Sequence, residues 1–415
     1  CMLSRRWYVN LAAFLACLSG ETFLAHLFFP GYMLCPAAAS FIILFLSRIW
    51  DLSRTPAKGN GADPIRLPVR SGIRESRLEF HYHYSNFLVY GEAGSGKTKS
   101  IGKWLLSEYM RLGFAGFIYD FKDTDYTRTA YNLIKRHRYP HKFYYVSFDR
   151  PERSYRFNPL KVVRDRTELI QLMEDVLLAL LPKKEQQNEW VAGGLGILRG
   201  VAFRFWDEFP EHCTLPHILA FIMTASARQL SLFLQQNLVS EMLAGAYLKA
   251  EGSEKTQASY LSTLCNNLAT ISQNEEIAYV LSGDDFDFNL IDPETPKLFA
   301  VSNNFSKNSV YAPVISMLMT ISARQFSMQN RVPFVYFLDE MTTVNIKNFE
   351  TLPSVLREYK AAFILLTQSG AKLENLYGKL DRSSVEANFG NMFLGRTKDV
   401  EALKYYPLFF GKEEK

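Results

Sequence analysis

The stretch Phe87-Leu88-Val89-Tyr90-Gly91-Glu92-Ala93-Gly94-Ser95-Gly96-Lys97-Thr98 decides how the chain is read. Residues 91–98 satisfy G-x-x-x-x-G-K-[ST] at every fixed position. The apolar run before them reads as a buried parallel strand. The amphipathic run from Ile101 to Leu112 reads as a helix that Gly113 ends. Strand, glycine-rich loop and helix in this order make a phosphate cradle. Gly94 and Gly96 lack Cβ atoms, so backbone N–H groups can close around phosphate oxygens. The helix N-terminus adds partial positive charge at the same point. Lys97 brings a full cation to the β- and γ-phosphates of ATP, and Thr98 offers a hydroxyl ligand to Mg²⁺. Gly91, Glu92, Ala93, Ser95 and Lys99 complete the segment expected to wrap the nucleotide. A glycine-rich turn with an incidental lysine is the alternative, and the agreement of both flanks opposes it.

The rest of the composition sets bounds. With 415 residues the chain can bury a large core and form more than one domain. Its 32 Phe and 22 Tyr suit wide buried faces of sheet and helix. A net charge of +5 permits a polyanionic partner without requiring one. Cys1, Cys17, Cys35, Cys213 and Cys265 have no paired metal-ligand spacing and read as reduced thiols, cytosolic or membrane-embedded. A first residue of Cys suggests a processed or trimmed product.

The first fifty residues read differently from the remainder. Trp7 to Phe29 and Tyr32 to Leu46 are two mostly apolar stretches separated by Pro30-Gly31, each near the length that crosses a bilayer. Arg5 and Arg6 precede the first, and Arg48, Arg54 and Lys58 follow the second. Cations at both outer ends predict a transmembrane hairpin over residues 1–50 with both ends cytoplasmic. Glu21 and His26 fall inside the first span, where ionisable groups usually face a partner helix. A signal peptide is opposed by the second apolar run and by the lack of a small-residue cleavage site. Residues 51–63 have linker composition.

Beyond the linker the pattern is α/β. Residues 64–159 alternate strand and helix through Gly116–Tyr119 and Phe143–Phe148, which predicts a parallel sheet with helices on both faces. Residues 160–282 are helical in period, with helices expected at 166–181, 189–205, 215–224, 227–249 and 255–274. They form an all-α insertion large enough to be a subdomain. Residues 283–415 return to strands at 298–301, 334–338, 362–367 and 392–395.

In such a sheet the ligand lies at the carboxyl ends of the strands. Those ends carry Asp120, Asp339-Glu340, Gln368 and Arg396. Asp339, closing the apolar run Phe334 to Leu338, holds the position of the acid that binds Mg²⁺. Glu340 is placed to act as general base on the attacking water. Gln368 either senses the γ-phosphate or is a satisfied polar strand end. The run Lys135-Arg136-His137-Arg138 is either a nucleic-acid patch or a solvated helix end.

The chain also resembles the type IV coupling proteins (TraG/TraD type) of bacterial conjugation and type IV secretion. The resemblance rests on Asp120-Phe121-Lys122, Phe157-Asn158-Pro159-Leu160, Leu338-Asp339-Glu340, Leu352-Pro353, Thr367-Gln368 and Leu376-Tyr377-Gly378, in the family's order and spacing. It implies a RecA-like P-loop NTPase with a parallel sheet, an inserted all-α domain and an N-terminal two-helix transmembrane hairpin. It further implies a bacterial inner-membrane ATPase, hexameric and otherwise cytoplasmic. Such a protein delivers DNA with its relaxase, or effector proteins, to other components of the secretion machine, and residues 160–282 would be its substrate-contacting lobe. Many family members carry Arg where this chain has Tyr359. The cation that reaches a neighbouring subunit's γ-phosphate is therefore left among Arg357, Lys360 and Arg396. The family usually continues past the point where this chain stops at Lys415, so a C-terminal truncation is expected. Two other functions fit the motifs: a chromosome-segregation type of DNA pump, and a non-catalytic nucleotide-binding membrane receptor.

Overall fold

The computed structural model describes residues 63–71, 74–122, 124–181, 185–398, 403–404 and 406–407. The membrane hairpin read over residues 1–50, and all but the last residue of the linker, lie outside them. Among the described residues no helix is long and apolar enough to cross a membrane.

An antiparallel hairpin of β1 (Ile65–Ser71) and β2 (Arg74–Phe80), absent from the sequence reading, comes first. Seven strands then build one sheet. They are β3 (Phe87–Tyr90), β4 (Ala115–Asp120), β5 (Lys142–Ser147), β6 (Lys297–Ser302), β7 (Phe334–Leu338), β8 (Ala361–Thr367) and β9 (Asn391–Leu394). Their spatial order is β5-β6-β4-β7-β8-β3-β9, and every neighbouring pair is parallel. Strands β4, β6, β7 and β8 are buried at every position, which is why they read as unbroken apolar runs.

The register aligns Tyr144, Phe299, Phe117, Tyr336 and Phe363 across five adjacent strands. Ring centroids are 5.2 Å apart for Phe117 and Phe299, 6.0 Å for Phe117 and Tyr336, and 4.7 Å for Tyr336 and Phe363. Part of the aromatic surplus of the chain is thus spent on one row across one face of the sheet. The opposite face carries smaller residues such as Ile118, Ala300 and Val335. It is covered by α1 (Lys103–Arg111) and α2 (Asp125–His137). Gly113 ends α1 with φ at 76°, and its own amide and that of Phe114 donate back to Met110 O and Tyr109 O, the left-handed cap that glycine adopts without strain.

The aromatic face is covered by helices on both sides of a long insertion. That insertion comprises α3 (Arg166–Ala179), α4 (Glu189–Glu208), α5 (Leu215–Thr224), α6 (Ala227–Gln235), α7 (Leu238–Leu243), α8 (Gly245–Lys249), α9 (Glu254–Ser272) and α10 (Glu275–Leu281). The single helix expected over 227–249 is three. The Asn237 side chain accepts from the amides of Val239 and Ser240 and so starts a new helix in mid-run. Asn274 caps α10 in the same way, a helix the periodicity did not separate. The chain leaves and rejoins the sheet on paired backbone: Phe157 N donates to Val280 O and Asp285 N to Arg156 O, both at 2.8 Å. After β6 come α11 (Asn308–Arg324), α12 (Leu352–Glu358), α13 (Gly370–Tyr377) and α14 (Lys379–Ala387). Helix α3 packs on α11, so the apolar interior of the insertion runs without a break into the aromatic face.

Candidate nucleotide site

The loop after β3 keeps the shape its glycines permit. Gly94 and Gly96 have φ of 76° and 90°, which side chains other than glycine adopt only under strain. The helix that follows begins as a wide turn over Lys97–Gly102, where Lys103 N donates to Thr98 O five residues back. Wide turns of this kind recur at functional sites. The loop is tied down on both sides. Gly91 N donates to Thr367 O at 3.2 Å, and Glu92 N to Arg396 O at 3.2 Å. The Glu92 side chain accepts from Thr397 Oγ1 and from the amide of Lys398.

Lys97 is buried at the mouth of this loop. Its Nζ donates to Gly91 O, lies 3.4 Å from Glu92 O, and stands 3.7 Å from Glu340 Oε1. Burial pulls the ammonium below its ordinary range, and Glu340 partly restores it. From the opposite side Lys122 approaches the same Glu340 oxygen at 3.9 Å. Gln368 Nε2 donates to it at 3.3 Å, while Gln368 Oε1 accepts from Lys372. Gln368 is therefore both satisfied as a polar strand end and aimed at the acid.

Asp339 is fully buried at the end of β7, and neither carboxylate oxygen has a partner among the described residues. Burial, reinforced by Glu340 and Asp120 and opposed by Lys122, pushes its carboxyl up to about 7. A buried carboxylate without donors is an incomplete coordination shell, because an unpaired buried charge is strongly disfavoured. Thr98, next to Lys97 at the end of the loop, offers a further oxygen. No cluster of three His, Cys, Asp or Glu side chains gathers among the described residues to hold a metal alone. Asp339 and Thr98 thus fit a cation that draws its other ligands from phosphate and water.

Glu340 adopts a left-handed backbone at φ 46° and ψ 48°, an uncommon conformation for a residue with a side chain. Its carbonyl is held by Thr343 through both amide and hydroxyl, at 2.9 and 2.7 Å. Thr343 Oγ1 in turn meets Tyr119 Oη at 2.6 Å, which accepts from Asn303 Nδ2 at 2.8 Å. This polar chain along the carboxyl ends of β4, β6 and β7 escaped the sequence reading, since nothing local in Tyr119, Asn303 or Thr343 marks it. Asp120 is at the same edge but serves α2: its Oδ2 accepts from Thr127 N and Oγ1 at 2.8 and 2.9 Å. Of the motif Asp120-Phe121-Lys122, it is the lysine that reaches the site.

The three candidate cations divide. Arg396 lies on the loop edge with its side chain exposed. Arg357 in the last turn of α12 and Lys360 before β8 lie at the other edge, where Lys360 O accepts from Phe334 N. The length of β8 separates them from Gln368, about 20 Å. Within one chain only Arg396 is near the phosphate loop.

A family profile described as the type IV secretion-system coupling protein DNA-binding domain matches residues 78–415. The chain matches none of the curated proteins. Among solved structures it is similar to a trigonal form of the bacterial conjugative coupling protein TrwBdeltaN70 in complex with sulphate. That likeness has a TM-score of 0.60 and 16% identity, and covers 84% of this chain and 76% of the other. The plasmid coupling protein TrwB in complex with ADP and Mg²⁺ matches with the same TM-score and identity over 83% and 75%. TrwB with the ATP analogue ADPNP does so over 80% and 81%. At such identity the likeness is one of fold.

Proposed function

Because the chain belongs to the type IV secretion-system coupling protein family, we propose that it is an ATP hydrolase of the bacterial inner membrane that drives substrates into a type IV secretion or conjugation machine. The observation that carries this reading is the buried pair Asp339-Glu340, unpartnered among the described residues at three of its four carboxylate oxygens and facing Lys97. Loop amides and Lys97 bind the β- and γ-phosphates. Thr98 and Asp339 are the groups to hold Mg²⁺, which neutralises phosphate charge during transfer. Glu340 takes the proton of the attacking water, and Gln368, bonded to Glu340, orients that water. The neighbouring subunit of a hexameric ring supplies one of Arg357, Lys360 or Arg396 to the γ-phosphate. Residues 1–50 anchor the ring as a transmembrane hairpin. Residues 160–282 meet the cargo, which is DNA with its relaxase, or effector proteins.

The test is Mg²⁺-dependent ATP hydrolysis by the full chain in membranes, with and without DNA, across protein concentration. Turnover per subunit should rise with both. Tight nucleotide binding with no turnover at any concentration would favour the receptor reading instead.

A further inference from the structure

We propose that the corner of the sheet where the chain joins its N-terminal segment is a docking surface for anionic phospholipid headgroups, formed by Lys135, Arg136, Arg138 and Lys142. This proposal rests on the reading of residues 1–50 as a membrane hairpin.

The corner lies at the amino edge of the sheet, away from the phosphate loop. Asp63, the first described residue, pairs with Arg111 at the end of α1. The end of α2 is fastened to the same place: His137 Nε2 meets Ser107 Oγ at 2.9 Å, His141 Nε2 meets Gly113 O at 2.7 Å, and Tyr139 Oη donates to Phe114 O. The basic run Lys135 to Lys142 is therefore fastened to the same end of α1 that holds Asp63. At most thirteen linker residues, about 45 Å when fully extended, separate that point from the expected bilayer.

Lys135, Arg136, Arg138 and Lys142 are all exposed, and none forms an ion pair or side-chain hydrogen bond with a described residue. Of the acids around it, Asp63 and Glu108 are held by Arg111, while Asp287 and Asp292 act on Lys297, the cross-strand neighbour of Lys142. Arg138 is informative by its backbone. It caps α2 in the left-handed region at φ 49°, a position that glycine fills without strain. An arginine there costs stability and returns no ion pair or side-chain hydrogen bond among the described residues, which leaves its guanidinium available to an outside ligand. Tyr82 completes the surface. It is 56% exposed and packs edge-on to Tyr84, whose ring lies tilted against Phe114. Clustered cations with an exposed tyrosine match the chemistry of a bilayer interface. DNA is the competing polyanion, but the patch lies on the edge of the sheet remote from the phosphate loop.

The full chain would be reconstituted in phosphatidylcholine vesicles with or without phosphatidylglycerol, carrying a fluorescent residue in place of exposed Tyr131 on α2. Quenching by nitroxide-labelled headgroups reads contact. It should rise with phosphatidylglycerol and collapse near 1 M salt, where screening acts within about 3 Å. It should also be lost in the set Lys135→Gln, Arg136→Gln, Arg138→Gln, Lys142→Gln, each cation being worth about fivefold in affinity. Unchanged nucleotide binding shows that the variant is folded. Should it misfold, the salt and lipid arms on the wild-type chain still decide. Quenching that is indifferent to phosphatidylglycerol overturns the proposal, as does a variant that loses DNA binding while keeping its quenching. Carbonate extraction tests the hairpin separately. If the chain is extracted, flotation with preformed phosphatidylglycerol vesicles, lost in the variant, still supports the surface, and its absence overturns it.

Discussion

Lys97 Nζ and Glu340 Oε1 stand 3.7 Å apart with side chains only 4% and 2% exposed, a buried pair formed between the phosphate loop and the end of β7. Neither side chain can change without altering the surroundings of the other. Glu340→Gln keeps the shape and the bond from Gln368 but removes the base. It should retain nucleotide affinity and lose hydrolysis by roughly two to four orders of magnitude. Lys97→Ala should lose affinity as well. Equilibrium binding of a fluorescent nucleotide, beside steady-state turnover, separates the two, and normal turnover in Glu340→Gln would remove the base assignment.

Asp339 carries the pH dependence. Its folded carboxyl titrates near 7, well above an unfolded aspartate, so the folded chain holds a proton that the unfolded chain releases. Without Mg²⁺-nucleotide, stability should therefore fall as pH rises from about 4 to about 7 and level off above. Asp339→Asn should raise the melting temperature at pH 8 by removing this buried charge, while abolishing the stabilisation that Mg²⁺ adds to bound nucleotide. A lower melting temperature for Asp339→Asn at pH 8 would refute the assignment.

Only a second subunit can bring Arg357 or Lys360 to a γ-phosphate, because both lie across the sheet from the loop of their own chain. Arg357→Ala, Lys360→Ala and Arg396→Ala should each bind nucleotide nearly normally, and one should lose turnover by about three orders of magnitude or more. If Arg357 or Lys360 is that residue, mixing its variant with Lys97→Ala should restore partial activity through mixed interfaces. Absence of rescue would count against a cation supplied by a second subunit, and loss of turnover in Arg396→Ala alone would place the cation at Arg396.

The segment after Glu340 is tied to the helical insertion. Lys347 Nζ meets Asp175 Oδ1 at 2.9 Å, and Arg324 Nη2 meets Asp175 Oδ2 at 2.7 Å. Asp175 on α3 thus connects the insertion to the stretch that positions the base. Asp175→Asn should leave basal hydrolysis within about twofold yet weaken its stimulation by DNA, since one element biased by both sites carries such coupling. Stimulation unchanged in Asp175→Asn would exclude this route.

The sequence alone determined the phosphate loop, the parallel central strands and the acidic pair after β7. Each is encoded locally: glycines for positive φ, unbroken apolar runs for strands covered on both faces, and charge at the first residue beyond them. Local signals failed where competition was close. The split of 227–249 at Asn237 turned on one side chain preferring the backbone of a new helix to solvent. The β1–β2 hairpin was hidden by its mixed polar pattern, and α13 and α14 by their shortness. Only the tertiary structure decided that Lys122, far from Glu340 in sequence, faces it, that Asp120 caps a helix, and that Tyr119, Asn303 and Thr343 brace the base. It likewise put Arg357 and Lys360 at the edge away from Arg396. The physical reason is strand order. β4 lies between β6 and β7, which bring residues from about 120, 303 and 340 to one edge, and no local pattern of residues states which strands will be neighbours.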